Sequence, residues 1–164
     1  ISSPLNAAAT SMMLMSKETA KAKGIKPLAT IRSIGFAGVD PTIMGHGPVP
    51  ASQRALDAVG LKASDIDYWE INEAFAAQVL SCVEAWKEST YCRNELQSRS
   101  AFGEIPMEKL NVDGGAVALG HPVGTSGARI VLHLCNVLEQ NKAKTAMASL
   151  CIGGGQGGAV LIER

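Results

Sequence analysis

The chain has 164 residues, enough for one domain with one sizeable core. Its 15 basic residues balance 15 acidic ones, with 18% charged and 46% hydrophobic residues overall. That composition excludes the basic footprint of a nucleic-acid binder, a polybasic membrane anchor and a highly charged disordered chain.

No apolar run approaches the ~20 residues of a membrane-spanning helix. Glycine is abundant (17 residues) and aromatics make up only 4%, which points to close backbone packing and glycine loops at a site. The chain opens at Ile1 without a signal-peptide layout, and its first apolar segment begins almost at once, as if cut from a longer chain. The last residues, Ile162-Glu163-Arg164, form neither a prenylation box nor a peroxisomal tripeptide.

In chain order, the apolar run Ala8 to Met15 reads as a buried strand. Ser16 then caps a short polar helix that Gly24 stops. Leu28 to Phe36 reads as a second strand, followed by a loop punctuated by Gly38, Pro41, Gly45, Gly47 and Pro48. Pro50 opens a helix to about Val59, and Asp67 to Ile71 is a short strand. Ala74 to Glu88 carries Phe75, Val79, Cys82, Val83 and Trp86 at the spacing of one helix face.

Ser89 to Leu110 has no period and reads as a solvated excursion. The helix from about Thr125 to Gln140 is apolar over most of its circumference, with one narrow stripe of Arg129, His133, Asn136 and Gln140. Such a helix is packed on two sides, so something else should cover the side that one sheet leaves free. Thr145 to Leu150 and Gly158 to Ile162 form a closing antiparallel hairpin. The fold class expected is α/β: one mixed five-stranded sheet with helices on both faces.

The four cysteines, Cys82, Cys92, Cys135 and Cys151, include no CxxC pair, so neither a zinc site nor a dithiol motif is expected and the compartment is read as reducing. Three segments fall at strand ends, where open α/β sheets collect ligands: Asn72-Glu73-Ala74-Phe75, Gly120-His121-Pro122 and Cys151-Ile152-Gly153-Gly154-Gly155. Each has a bland use. Asn72 could cap a helix, His121 could be a satisfied loop histidine, Cys151 a buried strand thiol, and the glycines a tight hairpin. No Gly-Lys-Ser/Thr follows them, so this is not a phosphate loop.

Together, with their flanks, these segments closely resemble the C-terminal half of the thiolases, which cleave or form 3-oxoacyl-CoA. The resemblance includes Gly38-Val39-Asp40-Pro41, Met44-Gly45, Gly47 to Ala51, the run from Asn72 to Ala76, Gly114 to Arg129 and Leu150 to Gly157. It implies that Cys151 moves the α-proton of the acetyl group and that the Gly153 amide donates to one oxyanion hole. It implies that His121 activates the acylated nucleophile and donates to the other hole, where Asn72 holds a water. Met44 and Phe75 match apolar positions near the acyl group, with core packing as their bland alternative, and Glu73 matches a supporting position. No cofactor is implied beyond coenzyme A and acyl-CoA as substrates, and no metal.

The thiolase nucleophile belongs to the first half, and none of Cys82, Cys92 or Cys135 matches it. The chain by itself is therefore expected to be inactive, and to pair with an N-terminal thiolase half or with a copy of itself. Two departures stand out: Ala7-Ala8 where many relatives have Asp-Gly, and a long excursion over 89–110. The compartment implied is the cytoplasm, or a mitochondrial or peroxisomal matrix. The rival reading is a non-catalytic assembly module with idle motifs. A decarboxylating ketosynthase is disfavoured because that chemistry uses a second histidine where this chain has Asn72.

Overall fold

The computed structural model describes all of residues 1–164. Its centre is a mixed sheet of four strands, β1 (Thr30–Gly38), β2 (Tyr68–Ile71), β3 (Thr145–Ile152) and β4 (Gln156–Glu163), in the order β1-β4-β3-β2. β4 runs antiparallel to both neighbours, while β2 and β3 are parallel with Ile71 opposite Ser149. The closing hairpin lies where expected, but its strands run further in and leave only Gly153 to Gly155 as the turn.

Alternation along β3 assigns the two faces. Met147 faces a layer formed by α2 (Pro48–Asp57) and α3 (Ala76–Lys87), while Ala146 and Ala148 face α6 (Val123–Gln140). The first face holds a core of 19 buried residues centred on Trp69, Trp86, Met147 and Leu161; the second holds only eight, including Ile130, Leu134, Leu138 and Ile162. The α6 face is thus the thinly covered one. α6 reaches β2 and β3 but leaves Ile34 and Phe36 of β1 exposed at 51% and 67%. Its own Ala128, Val131 and Leu132 are only half-buried. One side of this apolar helix therefore does lack full cover.

The expected fifth strand does not form. Ala8 to Met15 joins no strand ladder, and Met13 and Leu14 are exposed. Apolar character does not make a strand unless the backbone groups pair with a neighbouring strand. This segment is held beside α6 instead: Asn6 Nδ2 donates to Leu119 O, and Thr125 Oγ1 to Ala8 O. The outer edge of β2 carries a single bridge from Leu110 to Trp69. The short polar helix α1 (Lys17–Ala22) is capped by Ser16, whose Oγ accepts from the Thr19 amide.

The excursion over 89–110 is not simply solvated. It opens with α4 (Ser89–Glu95), capped by the Glu88 carboxylate, and returns Phe102 and Ile105 to the core. Phe102 stacks on Trp86 with ring centroids 5.1 Å apart and meets Trp69 edge-on. Its apolar residues are aperiodic because the chain wraps around two tryptophans instead of presenting one regular face.

Candidate active site

The site begins where β2 ends. The Asn72 amide donates to Ser149 O at 2.9 Å, continuing the parallel pairing one residue past the strand. α3 starts only at Ala76, so Asn72 is not its cap. Behind it, Asn111 clamps the free edge of β2: its Oδ1 accepts from the Ile71 amide and its Nδ2 donates to Ile71 O. Glu73 extends the clamp, accepting from Asn111 Nδ2 and from the Val117 amide at the start of α5 (Ala116–Leu119). Its carboxylate is held by structural donors.

α5 ends at Gly120, which turns the chain with φ 88°, a left-handed conformation that other residues rarely adopt. His121 follows immediately and points into the same corner. Its Nε2 approaches Asn72 Nδ2 at 3.5 Å, and its Nδ1 lies 2.6 Å from Ser126 Oγ in the first turns of α6. Its backbone amide donates to Pro4 O, so the N-terminal segment straps this loop in place. Burial and the nearby Arg129 guanidinium hold the His121 pKa below its ordinary value, so the ring is neutral near pH 7. Asn72 Oδ1 is buried and meets no protein donor.

Cys151 lies two residues beyond Ser149, so it projects from the same end of the sheet as Asn72. It is 7% exposed, and burial pushes its thiol pKa up. By alternation it shares the Met147 face, beside Cys82. Cys151 and the His121–Asn72 pair share a sheet end but no hydrogen bond. Gly153, in the hairpin turn, is exposed, and a side chain there would meet nothing within 4 Å. Phe75 is 44% exposed and Met44 half-buried, so neither is a closed core residue.

Cys82, Cys92 and Cys135 are buried within helices; burial raises the Cys82 pKa to about 12. Two polar constellations were not anticipated from the sequence. Ser126 is fully buried beneath His121. Glu70, on β2, accepts from His133 Nδ1 at 2.5 Å, and the other ring nitrogen meets Asp113 at 3.1 Å. Burial raises the Glu70 pKa, while the Glu70 hydrogen bond raises that of His133. His133 was visible as part of the polar stripe of α6, but its partner lies 63 residues away. A cavity of about 90 Å³ lies beside this chain, lined by Asn72, Glu73 and Arg129 among others. No three His, Cys, Asp or Glu side chains are arranged to hold a metal.

A family model described as "Thiolase, C-terminal domain" matches residues 25–164. The chain belongs to the thiolase C-terminal domain family. It is 48% identical over 163 residues to a 3-ketoacyl-CoA thiolase of Salmonella typhimurium, and 47% identical to one of Marinobacter nauticus. Each match covers 99% of this chain, which spans 38% of the length of those relatives.

Among solved structures, the Bacillus anthracis acetyl-CoA acetyltransferase superposes with a TM-score of 0.76 at 45% identity, covering 91% of this chain and 34% of that one. Human mitochondrial 3-ketoacyl-CoA thiolase gives 0.76 at 43% identity, covering 90% and 33%. The thiolase C-terminal domain thus accounts for the mixed sheet and its helical layers. The Ala8 to Met15 segment lies before the residues that the family model matches, though within the span aligned with the two 3-ketoacyl-CoA thiolases.

Proposed function

We propose that this thiolase domain supplies the proton-transfer and oxyanion groups of an acyl-CoA acyltransferase that cleaves 3-oxoacyl-CoA with CoA, or condenses two acyl-CoA molecules in reverse. One observation carries the reading: a neutral imidazole approaches a buried asparagine amide at the strand end from which Cys151 also projects.

In thiolysis, a cysteine thiol on the first half of the enzyme gives its proton to His121 Nε2 and attacks the C3 carbonyl. The C2–C3 bond then breaks, leaving an acyl thioester and the enolate of acetyl-CoA. Cys151 protonates the enolate carbon; its raised pKa keeps a proton available near neutral pH. CoA thiol then takes over the acyl group, giving its proton to the Cys151 thiolate, while the His121 imidazolium returns its proton to the released first-half thiolate, so both groups regain their starting states. Nε2–H of the charged ring and a water held by Asn72 stabilise the oxyanion in one hole, and the open backbone at Gly153 admits a substrate oxygen to its amide in the other. Phe75 and Met44 lie beside the acyl group.

The nucleophile comes from a first thiolase half, because Cys82, Cys92 and Cys135 are core thiols. The same half covers the bare surface around Ile34, Phe36 and α6 and pairs with Ala8 to Met15; the exposed apolar residues there support this placement. By itself the chain is inactive.

The test combines this chain with a first half and follows thiolysis of acetoacetyl-CoA. Activity is expected only in the mixture, and His121→Ala should lower turnover at least about 100-fold. Near-normal turnover by His121→Ala would refute the role, and a stable but silent complex would support an assembly module instead.

A further inference from the structure

The His121 ring has two nitrogens, and the reaction needs a lone pair on the one that faces the nucleophile. Ser126 is 0% exposed, one turn into α6, with Oγ 2.6 Å from Nδ1. The same hydroxyl donates to Pro122 O at 3.3 Å, the carbonyl four residues earlier. A hydroxyl has a single hydrogen. With that hydrogen on Pro122 O, Oγ accepts from Nδ1–H. On the far edge of the ring, Nε2 faces an amide NH₂ of Asn72, which can only donate. Both neighbours are satisfied by one tautomer, with the hydrogen on Nδ1 and the lone pair on Nε2. The adjacent Thr125 does not share this task, since its hydroxyl donates to Ala8 O.

We infer that Ser126 is the positioning residue for His121, locking the ring in the Nδ1–H tautomer and aiming Nε2 at the thiol it deprotonates. The inference rests on the thiolase reading above. When Nε2 takes the thiol proton, thiol becomes thiolate and the imidazole becomes imidazolium. Nδ1–H keeps its bond to Oγ throughout, and that bond strengthens as the ring becomes charged.

The experiment uses the complete two-half enzyme. Ser126→Ala should lower kcat about 10- to 100-fold, the scale of a misaimed proton-transfer group, with KM for acyl-CoA within about twofold. The acid limb of the pH–rate profile should move to lower pH, because the imidazolium loses an acceptor. Ser126→Thr, which keeps the hydroxyl, should restore turnover to within about fivefold of the parent.

Imidazole ¹⁵N shifts of the parent enzyme, recorded above the His121 pKa, should report a protonated Nδ1. That measurement and the threonine variant decide the matter even if the alanine variant does not fold. An Nε2–H tautomer in the parent, a kcat for Ser126→Ala within twofold, or an equal fall in the alanine and threonine variants would overturn the inference. His121→Ala separates the two levels. If it is inactive while Ser126→Ala runs at full rate, only the positioning role falls; if it is fully active, the thiolase reading falls as well.

Discussion

Gly157 stands opposite Cys151 in the closing hairpin, and its backbone lies directly against Gly47, where the chain enters α2. A Cβ on Gly157 would fall 1.9 Å from Gly47 O, and one on Gly47 would fall 2.2 Å from Gln156 O. Both obstacles are main-chain atoms, so no side chain can swing away. Restoring ordinary van der Waals contact requires the two backbones to separate by about 1.5 Å. That movement would lift Pro48 and Val49, both buried, away from the core.

Gly157→Ala is therefore expected at the upper end of overpacking costs, about 3 kcal/mol. In a domain of this length that corresponds to a fall in Tm of roughly 6–12 °C and a shift in the folding equilibrium of about 150-fold. Urea and thermal unfolding followed by circular dichroism measure both. Gly153→Ala is the matched control: its Cβ meets nothing within 4 Å and its φ is not positive, so its Tm should stay within about 1 °C of the parent. A Gly157→Ala protein melting within about 1 °C of the parent would refute the claim that glycine is required at this backbone contact.

The Glu70–His133–Asp113 chain makes stability depend on pH. Because the His133 pKa is raised in the fold, its contribution is complete below about 6.5, the unfolded value, and fades as pH rises through the folded value. Unfolding free energy from urea melts should fall as pH rises above about 6.5. His133→Gln should flatten that slope and cost about 1–2 kcal/mol at the acid end; an unchanged slope would show that another group is responsible. Phe36→Asp, on the exposed side of β1, should leave the melting temperature within about 1 °C. It should weaken binding to the first thiolase half about 10- to 100-fold, the worth of burying one phenylalanine. Isothermal titration calorimetry reads this, and an unchanged Kd would remove that face from the interface.

Local chemistry made the β3–β4 hairpin, the capped helix α1 and the long helix α6 legible in the sequence. Alternation, a capping serine, glycine stops and helical periodicity act within a few residues of one another. The motif segments were legible as strand ends for the same reason. Two assignments failed because they depended on distant partners. Ala8 to Met15 has a strand's composition, but the hydrogen bonds of Asn6 to Leu119 and of Thr125 to Ala8 hold it beside α5 and α6 and not on a sheet edge. The 89–110 excursion looked polar because Phe102 and Ile105 have no period, yet they close the core around Trp69 and Trp86.

The sequence by itself determined which polar groups are present at the strand ends, the neutral balance of charge and the unusually apolar girth of α6. Only the tertiary structure decided which nitrogen of His121 is held by Ser126 and which meets Asn72, and that the carboxylate of Glu73 is engaged by Asn111 and Val117. It also decided that Glu70 and His133 are partners. Composition and periodicity are properties of neighbours along the chain, whereas hydrogen-bond direction and burial arise only when segments tens of residues apart compete for the same space.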